Sequence, residues 1–214
     1  MAFFTEAERA VIAAAVDRLI PPDDLGCPGA AAAGVPDYID TFLDAFSFDP
    51  PRIFAGGPYS GRWGGDASFE QWLPLGAMEE LAWRTRIEGS QGIPEREFNG
   101  PVEGLQYLYR QGLGVLGSDF VGLHTHEQDR RLDADPAFKR MLYEHACEGM
   151  YGDPVYGGNR DQAGWKMIGW VGDIQPRGYT DVEVSQREKT PIVLGVDSGA
   201  IAPLSTPSSE GGRG

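Results

Sequence analysis

The histidines are the residues of this chain best suited to metal chemistry. His124-Thr125-His126-Glu127 places two imidazoles and a carboxylate close together, and His145 is the one further histidine. Catalytic zinc ions are typically held by three such ligands, with one position left for water. The surrounding sequence predicts a helix, in which side chains two residues apart point roughly 200° away from each other. A metal site is therefore disfavoured, and a metal-dependent enzyme that uses His124, His126 and His145 is kept as an alternative.

Side chains for acid–base or nucleophilic catalysis follow no catalytic pattern. The acidic pairs Asp23-Asp24 and Glu79-Glu80 diverge on a helix and suit caps and dipole partners better than catalysis. No serine or cysteine lies in a nucleophile motif. Gly112-x-Gly114 does not follow a strand, as a dinucleotide site requires. The sequence predicts no catalytic residue and no cofactor bound by this chain.

The two cysteines, Cys27 and Cys147, lie far apart in the sequence. Structural zinc, iron–sulfur clusters and c-type haem need more cysteines, or closer spacing. A disulfide between Cys27 and Cys147, a disulfide to a partner, and two free thiols all agree with the sequence.

A segment dense in glycine and aromatic residues, YGDPVYGGNRDQAGWKMIGWVG, covers residues 151–172. Its asparagine can bond to neighbouring backbone, and its arginine can pair with a carboxylate. One interpretation is a connector held down by its own aromatic side chains. The other is a rigid docking surface, because Trp, Tyr and Arg anchor protein interfaces. The interface candidates are Tyr156, Gly157, Gly158, Asn159, Arg160, Trp165, Lys166 and Trp170.

Helical patterns must position these residues. A capping box at Thr5 and Glu8 opens the first helix, which ends before Pro21. The remaining predicted helices are one from Val35 to Phe46 with Pro36 in its first turn, one over 76–88, one with Pro101 in its first turn, one over 118–131, and one opening at Asp135-Pro136.

Long irregular segments separate or follow these helices. Residues 49–72 are rich in glycine and proline, and 186–214 end in serine, glycine and proline. We predict a mainly α fold: an irregular helical domain over 1–180 with long Gly/Pro-rich loops, and an extended C-terminal arm over 181–214.

The charge and the apolar content of the chain limit the kinds of partner that it can bind. Of 214 residues 32 are acidic and 18 are basic, a net charge of −14, which repels nucleic acid and anionic membranes. No run of the sequence reaches the ~20 apolar residues of a membrane span. The start of the chain shows neither a basic region followed by an apolar one nor a twin-arginine pair.

Two blocks of the sequence resemble the gluconate 2-dehydrogenase subunit 3 family. They are FFTEAERAVIAAAVDRLIPPDD with PGAAAAGVPDYIDTFL near the start, and EGMYGDPVYGGNRDQAGWKMIGWVG about 100 residues later. The resemblance implies a non-catalytic small subunit bound to a large FAD-containing dehydrogenase of the glucose–methanol–choline type. It also implies a c-type cytochrome as a further partner and a place in the bacterial periplasm, with the cytoplasm as the alternative.

The same resemblance implies that the partner carries the flavin and oxidises gluconate, another sugar or a glycoside. The small subunit would support folding, stability or export of that partner. A sugar-binding module is a further alternative, because five tryptophans and eight tyrosines could stack on pyranose rings.

Overall fold

Helices provide the regular structure of this protein. The computed structural model describes residues 2–24, 26–53, 74–170, 181–182 and 184–185. Within these ranges it contains seven α-helices and no strand, which confirms the mainly α prediction. They are α1 (Glu6–Leu19), α2 (Val35–Leu43), α3 (Ala77–Glu88), α4 (Leu105–Leu116), α5 (Thr125–Asp133), α6 (Pro136–Tyr151) and α7 (Ala163–Met167).

Local capping fixes the starts of the first and longest helices. The Thr5 hydroxyl accepts a hydrogen bond from the Glu8 amide at 3.2 Å, and the Glu8 carboxylate accepts one from the Thr5 amide at 2.8 Å. At the start of α6 the Asp135 carboxylate accepts a hydrogen bond from the Phe138 amide at 3.0 Å. These bonds satisfy amides that have no partner within the helix, and they confirm both predicted starts.

Helices α1, α2, α4, α5 and α6 pack around one core, with α3 against α4 and α7 against α6. Where α4 packs against α6, the Phe138 ring lies directly on the Gly112 backbone: a Cβ on Gly112 would lie 2.3 Å from that ring. The fully buried large side chains include Ile12, Val16, Ile39, Leu43, Tyr109, Leu116, Phe120, Leu142 and Met150. Burial of each contributes about 1.5–3 kcal/mol, which holds α2, α4 and α6 in fixed positions around the site described below.

Two predicted helix starts are wrong. Helix α4 begins at Leu105 rather than near Pro101, because Val102 exchanges hydrogen bonds with Ser90: its amide donates to the Ser90 hydroxyl at 3.0 Å and its carbonyl accepts from the Ser90 amide at 3.0 Å. Helix α5 begins at Thr125, after a separate 3-10 turn over Phe120–Gly122. Tertiary pairing in the first case and an extended residue, His124, in the second interrupt the helical pattern.

Most of the predicted 49–72 loop and of the C-terminal arm lies outside the described residues, as does the boundary predicted at residue 180. Helix α2 ends at Leu43, and a 3-10 turn over Ala45–Ser47 follows it, so the predicted second helix is shorter than the sequence suggested.

Candidate interaction surface

The chain leaves α6 through a tight turn. The Asp153 carboxylate accepts a hydrogen bond from the Val155 amide at 2.9 Å, which starts a single 3-10 turn over Pro154–Tyr156. Gly157 then adopts a φ of 95°, a left-handed conformation that disfavours residues with a Cβ. The chain thereby reverses direction and returns to the end of α6. We call residues 152–170 the return loop.

Asn159 ties the return loop to the end of α6 and to α7, the short helix within the loop. Its side chain is 0% exposed, its Nδ2 donates to the Gly152 carbonyl at 2.8 Å, and its Oδ1 accepts from the Gly164 amide at 2.9 Å. Its own amide donates to the Gly149 carbonyl at 2.7 Å. The prediction that this asparagine bonds to neighbouring backbone is confirmed, and its side chain makes both of these hydrogen bonds within the protein.

Two glycines allow the return loop to lie directly on the α6 backbone. A Cβ on Gly158 would lie 2.2 Å from the Gly149 carbonyl oxygen, and a Cβ on Gly164 would lie 1.9 Å from the Met150 carbonyl oxygen. Real Cβ atoms do not approach backbone oxygens that closely. These positions therefore require glycine for close packing of two backbone segments, which explains why the motif is rich in that residue.

An ion bridge fixes the outer side of the return loop. The Arg160 guanidinium donates to the Asp37 carboxylate at 2.6 Å, and Arg9 pairs with the other oxygen of the same carboxylate. The Arg160 amide also donates to the Ala33 carbonyl at 2.8 Å. The prediction that this arginine pairs with a carboxylate is confirmed. The bridge joins α1, α2 and the return loop, which are far apart in the sequence.

The two tryptophans of the return loop have different surroundings. Trp165 is 5% exposed and its Nε1 donates to the Tyr151 carbonyl at 2.7 Å, so it packs inside the domain. Trp170 is 40% exposed, and the neighbouring Met167 and Ile168 are exposed to a similar extent. With the charged Lys166 they form an exposed stretch over 166–170; Gly157 and Arg160 are the other exposed residues among the interface candidates.

A cavity of about 520 Å³ lies beside the return loop, between α2, α3 and α6. Its walls carry the rings of Tyr38, Phe42, Trp83, Tyr151 and Tyr156. The charged residues that line it are Arg52, Arg86, Glu148 and Asp153. A pocket of this size with aromatic walls and few polar groups is typical of a binding site. We call it the aromatic cavity.

Hydrogen bonds to tyrosines hold two polar residues of α6 at and behind this cavity. The Tyr38 hydroxyl donates to the Glu148 carboxylate at 2.8 Å, and the Tyr109 hydroxyl lies 2.9 Å from His145 Nδ1. Burial lowers the pKa of His145 and raises the pKa of Tyr109 well above its usual value. Burial and the Glu148 charge together raise the pKa of Tyr38. Tyr38, Tyr109 and His145 are thus held neutral near pH 7.

The three histidines are not brought together. His145 is buried in the core, whereas His124 and His126 lie exposed at the start of α5. Their rings stack with centroids 6.0 Å apart, contrary to the expectation that they point away from each other, because His124 is the extended residue before the helix. In the described part of the chain no group of three or more His, Cys, Asp or Glu residues is arranged to hold a metal ion.

Both cysteines carry free thiols in this structure, Cys27 buried and Cys147 half-buried. Cys147 is one of the residues lining the aromatic cavity, and both thiols lie close enough to Tyr151 to contribute to its raised pKa, which is mainly a burial effect. The Cys27–Cys147 disulfide considered from the sequence is not formed here.

Sequence reasoning missed the aromatic cavity. Tyr38 and Phe42 lie on α2 and Trp83 and Arg86 on α3, and both pairs carry the spacing of a helix face. That spacing shows which side chains share a face, but not that the two faces meet beside α6.

The fold and this surface define a class: an all-helical domain, in its described part, with a glycine-built return loop beside an aromatic cavity. None of its described helices is long and apolar enough to cross a membrane. The family model for gluconate 2-dehydrogenase subunit 3 matches residues 6–172, so the chain belongs to that family. Comparisons with curated proteins and with solved structures found no match.

Proposed function

We propose that this protein is the non-catalytic small subunit of a dehydrogenase complex whose large subunit contains FAD and is of the glucose–methanol–choline type. The observation that carries the proposal is the family match, which begins at α1 and runs through the whole return loop. The family description itself names a subunit, and a subunit functions through the surface that it offers to its partner.

The geometry of the return loop supports an accessory role. Its polar side chains make bonds within the chain: Asn159 to backbone groups, Trp165 to the Tyr151 carbonyl and Arg160 to Asp37. Such bonds hold a surface in place and do not bind or convert a substrate. We infer that the subunit supports the folding, stability or export of the large subunit, which carries the flavin and oxidises gluconate, another sugar or a glycoside.

The setting of the complex is part of the proposal. A c-type cytochrome would accept the electrons, and the complex would work in the bacterial periplasm. Fractionation of the native cell tests this point: the small subunit and the dehydrogenase activity should appear together in the periplasmic fraction. Recovery of both with cytoplasmic markers would contradict the periplasmic assignment and leave the subunit role intact.

Co-purification tests the proposed function itself. The tagged chain is purified from its native cell, and the eluate is examined by absorption spectroscopy and mass spectrometry, with an untagged strain as control. We expect a flavin spectrum, a second protein of the size of a large dehydrogenase, and electron transfer to a dye with at least one member of a sugar and aldonate panel. Recovery of the chain alone and colourless would contradict the proposal.

A further inference from the structure

We propose that the aromatic cavity is an anchoring site for the large subunit, and that it receives a segment presenting a large apolar side chain next to a carboxylate. The inference rests on the proposed function, since it assumes that the large subunit exists. It adds where on this chain the partner binds and which chemistry the partner presents there.

The walls of the cavity determine the apolar part of that segment. Tyr38 and Phe42 stack nearly parallel with their centroids 6.0 Å apart, and Trp83 meets Phe42 edge to face at 6.1 Å. These contacts fix the ring planes before anything binds. An aromatic or branched aliphatic side chain entering the cavity would remove a large apolar area from water without reordering the walls.

Arg86 determines the charged part of the segment. Its guanidinium carbon lies 5.2 Å from the Trp83 centroid and 5.9 Å from the Phe42 centroid, and among the described residues it pairs with no carboxylate. Most arginines in the described part are paired, including Arg84 with Glu80 and Arg96 with Glu88. On a chain with a net charge of −14, an arginine beside a cavity that pairs with no carboxylate of the described residues offers a site for one from outside.

The acidic groups at the cavity edge are engaged within the chain. Glu148 accepts the Tyr38 hydroxyl at 2.8 Å, and Asp153 accepts the Val155 amide at 2.9 Å. Arg52 also lines the cavity, with its guanidinium carbon 3.9 Å from the Phe48 centroid. Arg86, whose guanidinium lies near the rings of two wall residues, is the cation that we expect the incoming carboxylate to meet. The return loop supplies Tyr156 to the same cavity, so the anchoring site adjoins the predicted interface.

The experiment measures binding to the purified flavin-containing subunit identified by the co-purification above. Two variants probe the two parts of the site: Arg86→Glu reverses the charge, and Thr41→Phe fills the cavity from a residue that lines it. Each has a matched control. Arg140→Glu makes the same charge change on an exposed arginine that pairs with Glu144, and Thr125→Phe makes the same substitution at the exposed start of α5.

We expect Arg86→Glu and Thr41→Phe each to weaken binding by about thirtyfold or more, the effect of losing an interface hot spot, while both controls stay within about threefold. The wild-type affinity should fall as salt is raised, and Arg86→Glu should reduce that dependence. Circular dichroism and thermal unfolding of each free variant show whether it is folded. Should Thr41→Phe not fold, the Arg86→Glu and Arg140→Glu pair decides alone.

Failure of this inference can be told from failure of the proposed function. If wild-type chain recovers no flavoprotein, the proposed function fails and the anchoring site with it. If wild type binds and both cavity variants bind equally well, the anchoring site is refuted and the subunit role stands. Equal weakening of partner binding by Arg86→Glu and Arg140→Glu would also refute the anchoring site. So would native mass spectrometry that finds a small sugar or organic acid bound in the cavity, if Arg86→Glu leaves partner binding unchanged.

Discussion

Replacement of Asn159 by alanine removes two side-chain hydrogen bonds and places an alanine in a left-handed backbone conformation. The Asn159 Oδ1 accepts from the Gly164 amide at 2.9 Å, and Gly164 is buried. A buried amide left without a partner costs about 1–3 kcal/mol. The Nδ2 bond to the half-buried Gly152 carbonyl, which water can replace in part, adds about 0.5–1.5 kcal/mol.

The backbone contributes a further term. Asn159 has a φ of 45°, a conformation that asparagine tolerates better than alanine. We therefore expect Asn159→Ala to lower the free energy of unfolding by about 3–5 kcal/mol, allowing for incomplete additivity. Asn159→Gly relieves the backbone strain and removes the same two hydrogen bonds. It should recover about 1 kcal/mol of that loss.

Urea unfolding followed by tryptophan fluorescence measures both variants, and hydrogen exchange at the Gly164 amide reports on the bond directly. If the loop detaches before the core unfolds, exchange at Gly164 accelerates while the global transition shifts less. An Asn159→Ala variant within 0.5 kcal/mol of wild type, with an unchanged Gly164 exchange rate, would show that the asparagine does not hold the return loop.

Three further predictions concern packing, pH and salt. Gly164→Ala should destabilise the fold by more than about 2 kcal/mol in urea unfolding, because its Cβ would meet the Met150 carbonyl. Gly114→Ala in α4, with open space around it, is the control and should stabilise the fold by about 0.5–1 kcal/mol. Equal effects of the two substitutions would contradict the packing argument. Burial lowers the pKa of His145, so the unfolded chain takes up a proton before the folded chain does as pH falls. The contribution of His145 to the free energy of unfolding should be full above about pH 6.5 and then fall by up to about 1.4 kcal/mol per pH unit. His145→Gln should flatten that slope when unfolding is measured as a function of pH. Asp37→Asn removes the charge shared by two arginines and should cost about 1 kcal/mol at low salt and less at high salt; a cost independent of salt would show that the carboxylate acts otherwise.

Local signals in the sequence predicted the parts of the fold that local chemistry determines. The capping box at Thr5 and the Asp135-Pro136 start act within a single turn, and both form as predicted. The backbone bonds of Asn159 and the carboxylate pairing of Arg160 were also predicted from side-chain chemistry. These two predictions did not require knowing which segment packs against the loop. Identifying Asp37 as the carboxylate that pairs with Arg160 did require it.

Features that depend on distant segments could not be predicted in this way. Val102 lies outside α4, where Ser90, twelve residues earlier, accepts a hydrogen bond from its amide and donates one to its carbonyl. The aromatic cavity needs α2, α3 and α6 to meet, and periodicity gives each helix a face without giving its neighbour. The buried position of Trp165 likewise follows from the return of the loop to Tyr151.

The fixed geometry of the return loop bears on how tightly a partner can bind it. Ordering a mobile side chain at an interface costs about 0.5–1.5 kcal/mol, and ordering loop backbone costs more. Here Asn159, Trp165 and Arg160 bond within the chain, so that cost is met during folding. The exposed stretch over 166–170 and the walls of the aromatic cavity are then presented in fixed positions. Because Asn159 bonds to Gly152, which lines the aromatic cavity, a variant that frees the loop should weaken partner binding even though Asn159 itself is buried.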